Sequence, residues 1–533
     1  MALLVALFIV RGLFELSILP PFEGWDEYQH IAFIQFYNEN GREPVLGESL
    51  VPRSLYPELV RFPHPPFGAE QVRRIGALSY EQFWAAKEPP SVLPRARDLP
   101  LYQAQQPPLY YKLVAPFHTW LMDRGGILAS VTGLRLLNIL FGAAAVAIAA
   151  ASIGRILKPG PHRYIVGLLI ATQPLYLINC TRVANDALAV LLGTIATACL
   201  LNQNNRRWWP RMGVGGLALG GAILAKTNLL GLMPFVVFLF AWMAFTRRAS
   251  WGRAAGGLAV VFVLTAGVTF SYFKGNLDRY GMMTPLQESL KNKTGGRGPG
   301  DLFRAIVELD WRRDFAARLF RQSLWRGGWS MLGLEEGSLA GVNRPIPKAF
   351  GALTTIAVVS ALITTMRRKR RPHGVMAEPY GSVPLFVLCG GMTAALAYHA
   401  LQSQMALKNV GTNAWYGAVV FPWLIALIYA GLMTLPWNRV ATLSAAALLL
   451  TQVAAEIYGT CCLMPPAYYG GSWSDTVRNR IDSMHLEGMG AGATTPCAII
   501  AALLACLGIA VWMREVRHST ATQPPTAEPR NDN

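Results

Sequence analysis

The stretch ILASVTGLRLLNILFGAAAVAIAAASIG, residues 127–154, decides the fold. It contains one charged side chain, Arg135, in a run longer than the roughly 20 mostly apolar residues a membrane helix needs. Working outward, comparable runs lie at 1–19, 164–180, 183–201, 212–227, 229–246, 254–273, 347–366, 383–401, 414–434, 440–457 and 496–513. Together they predict an all-α membrane protein with about 12 transmembrane helices. The pairs at 164–201 and 212–246 are joined by only a few residues, so each reads as a helical hairpin. The composition agrees: 53% of the 533 residues are hydrophobic and only 15% charged, against about a quarter charged in a soluble domain.

The formal net charge of +18 would point to nucleic acid in a soluble chain. Here it reads as topology, because basic residues collect in the loops on one side of a membrane. With the N-terminus inside, the inner loops hold Arg155, Lys158 and Arg163, then NNRRWWPR (204–211), then Arg247, Arg248 and Arg253, then RRKRRPH (367–373), then Arg439. Both termini are therefore expected in the cytoplasm of a plasma (inner) membrane protein, with no nucleic-acid partner. Segment 1–19 reads as an uncleaved helix, since it lacks a basic start and carries Arg11 and Glu15. Three large segments are left outside, at 20–126, 274–346 and 458–494. The division expected is a core over 1–435, C-terminal helices over 436–513 and a disordered tail over 514–533. The seven cysteines show no CxxC spacing, so neither a zinc site nor a disulfide framework is indicated.

The first external segment opens with PPFEGWDEYQH, residues 20–30. Prolines here are expected to end the first helix. In a helical WDEYQHIAFIQFY, Asp26 and Glu27 each share a face with His30. Trp25, Phe33 and Phe36 suit a helix lying along the membrane surface. A carboxylate in such a place, its pKa raised by apolar neighbours, suits a general base. Alternatively Asp26, Glu27 and His30 hold a divalent cation, Mg or Mn, or the segment is simply a solvated acidic helix.

Further motifs follow in order. QQPPLYYKL (105–113) and GLRLLNILFG (133–142) frame the second span. TRVANDALAVLL (181–192) puts Arg182, Asn185 and Asp186 at a helix mouth, where they form a ligand site or where Asn185 or Asp186 caps the helix. LAKTNLLGLMP (224–234) carries Lys226, which either meets a phosphate headgroup or snorkels to the interface. RQSLWRGGWS (321–330) includes Arg326, suited to phosphate, beside tryptophans suited to sugar.

With GWDEYQH at 24–30, this series resembles the GT-C glycosyltransferases, near the protein O-mannosyltransferase group, over about 1–435. The resemblance implies a GT-C-like bundle with large extracytoplasmic loops carrying interfacial helices and the active site outside. It implies a polyprenyl-phosphate sugar donor and a glycan, lipid or protein acceptor. It makes Asp26 the catalytic base or a metal ligand, with Glu27 in support. His30, Tyr110, Arg182, Asp186, Lys226 and Tyr416 then fall at the substrate site, Asp186 facing the same cavity as Asp26. Relatives often carry Gly-Arg-Tyr before the proline of NAWYGAVVFP (413–422). This chain has Trp415 where that Arg would be, which leaves Lys408 as the substitute base for donor phosphate. No Walker A or GxSxG motif occurs, so a nucleotide-sugar donor is not expected. A lipid-linked saccharide flippase and a glycan ligase are the competing readings.

Overall fold

The computed structural model describes residues 1–24, 26–65, 71–158, 160–202, 207–324, 345–366, 376, 382–435 and 438–521. Among them, seven helices are long and apolar enough to cross a membrane: Leu109–Ile156, Thr227–Phe245, Trp251–Tyr280, Ser382–Leu407, Ala414–Leu432, Val440–Tyr469 and Ala491–Arg517. The expected 12 are not all met at that length, for local reasons. The first helix, Ala2–Leu16, stops short of Pro20, where the Ser17 hydroxyl turns back to donate to the Phe14 carbonyl at 2.7 Å. The 164–180 run is split into Pro161–Ala171 and Pro174–Cys180, because a proline disfavours helical geometry in the residue before it. Asp186–Leu201 and Gly351–Ile363 are apolar but shorter.

The bundle is held by close backbone approach as much as by apolar bulk. Trp208–Ala225 lies between Asp186–Leu201 and Trp251–Tyr280. A Cβ added at Gly216 would stand 3.0 Å from the Val261 backbone, and one at Gly220 would stand 2.8 Å from the Val268 side chain. Small residues four apart let membrane helices pack at this distance. On its other side Trp251–Tyr280 leaves Phe262, Val263 and Phe270 exposed, an apolar face suited to lipid. Ala2–Leu16 packs against Leu109–Ile156 and Ala491–Ala521, tying the C-terminal helices to the core.

The helix Glu27–Asn40 differs from its expected setting. Phe33 and Phe36 are buried, and the Phe33 ring stacks on Tyr111 with centroids 3.8 Å apart. Its aromatic residues pack against Leu109–Ile156, so this face of the helix is turned into the core; Trp25 lies outside the described residues. The segments 20–126 and 458–494 also dock on each other: Trp84 Nε1 donates to the Tyr468 carbonyl at 2.8 Å, and the Arg480 guanidinium sits 4.7 Å over the Trp84 ring. Disorder was expected from 514, yet the last helix continues to Ala521, and 522–533 lie outside the described residues.

Candidate active site

Asp26 stands at the turn into Glu27–Asn40 with φ 65° and ψ 12°. That left-handed conformation is uncommon for a residue with a Cβ and gathers at functional sites. Its carbonyl starts the helix, accepting from the Gln29 and His30 N–H groups at 2.8 and 3.1 Å. Its carboxylate makes no capping bond. Instead it accepts from the Tyr102 hydroxyl and, at 3.0 Å, from Gln103 Nε2. Burial pushes the Asp26 pKa up to about 7, against the opposing pull of Tyr102, Arg182, Lys226 and Gln103. The side chain stays half-open to a cavity.

The cavity holds about 600 Å³. One wall comes from the segment 20–126, with Asp26, Tyr28, Arg74 and Tyr102. The second segment contributes Glu288 and Arg318. The third wall is the turn from Asn409 to Tyr416, including Trp415. It therefore combines carboxylates, guanidinium groups and aromatic rings.

Glu27, next in sequence, turns the other way into the protein. It is fully buried and forms an ion pair with Arg135 at 2.6 Å. Its Oε1 also accepts from the Val183 N–H at 2.7 Å. Arg135 uses its remaining donors on the Leu19 and Pro20 carbonyls, both at 2.7 Å. The pair thus ties the Asp26 turn to the second span and to the 181–185 turn. Gly24 makes this approach possible: a Cβ there would lie 2.4 Å from the Arg182 Cβ.

Behind Asp26 lies a second buried set. Asp186 pairs with Arg182 at 2.9 Å and with the Lys226 amine. Lys226 also sits 4.9 Å over the Tyr416 ring. Asn138 donates to the Tyr110 hydroxyl at 3.1 Å and to the Arg182 carbonyl at 2.6 Å. His30 Nδ1 lies 2.8 Å from the Tyr111 hydroxyl. Burial, with the Arg182 charge adding to it, lowers the His30 pKa well below its ordinary value, so the ring is neutral.

Of the residues expected at the substrate site, Asp26 and Tyr416 line the cavity. Glu27, His30, Tyr110, Arg182, Asp186 and Lys226 do not; they form the polar framework behind it. Asp186 reaches the cavity only through Lys226 and Tyr416. Lys408 is exposed, its amine 3.6 Å from Glu308, and it is not among the lining residues. Arg326 lies outside the described residues. Sequence reasoning missed Arg74, Arg318, Tyr102 and Glu288. Tyr102 lies three residues before the QQPPLYYKL motif and Arg318 three residues before RQSLWRGGWS, so proximity to those motifs was the signal for either.

Asp26, Glu27 and His30 do not converge on a common point. Glu27 is occupied by Arg135 and Val183, His30 faces Tyr111, and Asp26 accepts from two donors whose hydrogens point at its oxygens. Among the described residues no group of three His, Cys, Asp or Glu is placed to hold a metal ion.

Residues 113–271 match the family model described as dolichyl-phosphate-mannose-protein mannosyltransferase. No curated protein matches the chain. Among solved structures, the chain is similar to the oligosaccharyltransferase of Archaeoglobus fulgidus in complex with zinc and sulfate. That likeness has 13% identity and a TM-score of 0.46, over 88% of this chain and 54% of that one. ArnT from Cupriavidus metallidurans, bound to undecaprenyl phosphate, is similar at 13% identity and a TM-score of 0.34, over 81% and 77% of the two chains. The chain thus spans about half the length of the first of these structures. The matched stretch 113–271, under a third of the chain, contains Arg135, Asn138, Arg182, Asp186 and Lys226, the framework behind Asp26.

Proposed function

We propose that this protein transfers a sugar from a polyprenyl-phosphate carrier to an acceptor hydroxyl, with Asp26 as general base. In that reaction the acceptor O–H gives its proton to the Asp26 carboxylate as its oxygen bonds to the anomeric carbon. The bond from that carbon to the carrier phosphate breaks, and its electron pair stays on the phosphate oxygen. Attack opposite the leaving phosphate inverts the anomeric centre. Arg74 and Arg318 suit the negative charge growing on the leaving phosphate. Trp415 and Tyr416 suit the apolar face of a sugar ring.

One observation carries this reading: the Asp26 carboxylate opens onto the arginine-bearing cavity with its pKa raised to about 7. A general base works best with its pKa near the operating pH. The lipid-phosphate mannose donor in the matched family's description supports a hexosyl unit on a lipid phosphate. The basic inner loops support a cavity on the extracytoplasmic side of the plasma membrane, with both termini in the cytoplasm.

The test is profiling of lipid-linked intermediates and envelope glycans in a strain lacking the gene. The reading predicts glycans short of one sugar, restored by the wild-type chain and not by Asp26→Asn. Accumulation of a complete lipid-linked glycan would instead identify a flippase or ligase.

A further inference from the structure

We infer that Tyr102 is a positioning residue for this reaction: with Gln103, it fixes the orientation of the Asp26 carboxylate and aims it into the cavity. The inference rests on the proposed role of Asp26 and adds to it the group that sets the base in place.

An aspartate at the start of a helix ordinarily accepts from the N–H groups of the first turn, and this is among the commonest uses of that residue. Asp26 occupies such a position ahead of Glu27–Asn40 and leaves the bond unmade. Its backbone is in the left-handed region, at φ 65°. Both departures have one visible counterpart. The Tyr102 hydroxyl donates to Oδ1, and Gln103 Nε2 donates to Oδ2 at 3.0 Å. These two residues belong to the short helical turn Tyr102–Gln105, which leads straight into the second span.

That turn is itself anchored to the acidic helix. Gln103 N–H donates to Gln29 Oε1 at 3.5 Å, and Gln29 Nε2 donates to the Pro100 carbonyl at 3.1 Å. Gln103 is buried, while Tyr102 is half-buried and lines the cavity beside Asp26. Tyr102 is thus the donor that solvent and substrate can reach, and Gln103 is the fixed one. Donors on two different oxygens fix the plane of a carboxylate as well as its position, and one lone pair on each oxygen remains for an incoming acceptor hydroxyl. The charged and titratable groups that also surround Asp26 are Tyr28 on its own helix, Tyr111 on the second span, Arg182 and Lys226 behind it, and Tyr416 across the cavity. None of these has a hydrogen bond to the carboxylate among those described.

The experiment compares the purified full chain with Tyr102→Phe and Gln103→Leu, measuring kcat and KM for a synthetic short-chain polyprenyl-phosphate sugar. Tyr102→Phe keeps the ring and its packing and removes only the donor. It is expected to lower kcat about 10- to 100-fold, the range of a misplaced proton acceptor, with KM within twofold of wild type and unchanged thermal unfolding. Gln103→Leu is expected to act in the same direction, so the inference stays testable if either variant folds poorly. A kcat within twofold of wild type, or a loss confined to KM, would overturn it.

A cryo-EM structure of Tyr102→Phe gives a second readout that needs no turnover. The Asp26 carboxylate should leave the orientation that the two donors give it, and an unmoved carboxylate would also overturn the inference. Should the wild-type chain transfer no sugar while the carboxylate rotates as expected, the proposed function fails and the positioning role stands.

Discussion

At the scale of the residue, the Asp26 carboxylate must be ionised to take a proton. Its pKa stands at about 7, raised from the ordinary aspartate range, so the active form is the minority below that pH. We expect kcat/KM to rise about tenfold per pH unit below 7 and to level off above it. An acidic limb centred near 4 would mean that the base is not held in this environment. Asp26→Asn preserves shape and hydrogen-bonding capacity and removes the proton acceptor, so a rate loss of 10²–10⁴ is expected, with membrane insertion intact. Legibility was uneven at this scale. Asp26 stood out in the sequence through its place after the first apolar run together with the family resemblance; the acidic pair alone read equally as a solvated acidic helix. The divergence of Asp26 and Glu27 could not be found, since it follows from a left-handed backbone at one residue. Spacing along an assumed helix placed both on a face shared with His30. The real turn sends one carboxylate to the cavity and the other to Arg135.

At the scale of elements, the motifs from 105 to 234 were legible as a set, but their roles were not. A polar residue in an apolar run signals that something must satisfy it. The sequence does not say whether the partner is a ligand or another buried side chain. Here Arg135 found Glu27, Lys226 found Asp186 and Asn138 found the 182–184 backbone. Removing one partner of a buried pair leaves the other uncompensated, which costs about 3–5 kcal/mol. We therefore expect Glu27→Gln and Arg135→Met each to lower thermal stability measurably in detergent. A loss of transfer without any loss of stability would instead return Glu27 to the chemistry. Gly24→Ala tests the close approach of the Asp26 turn to Arg182. Its added Cβ has no room beside the Arg182 Cβ, so transfer should fall further than unfolding temperature does. Equal activity in Gly24→Ala would show that the turn tolerates displacement.

At the scale of the whole molecule, the membrane character was legible because 20-residue apolar runs are set by bilayer thickness and nothing subtler. The helix count was less so, because hydropathy does not register breaks such as the one between Ala171 and Pro174. The cavity was not legible: its walls come from 26–102, 288–318 and 409–416, and only the folded chain brings them together. Orientation is open to direct measurement. Arg97 is exposed in the first external segment, so Arg97→Cys should react with a membrane-impermeant maleimide in intact cells above the wild-type background. Reaction only after permeabilisation would reverse the topology.

The most direct measurement is transfer of a radiolabelled sugar from a polyprenyl-phosphate donor by the purified full chain, wild type beside Asp26→Asn at matched folding. The account predicts product from the wild type and at least a hundredfold less from the variant. Equal product from the two proteins would contradict it.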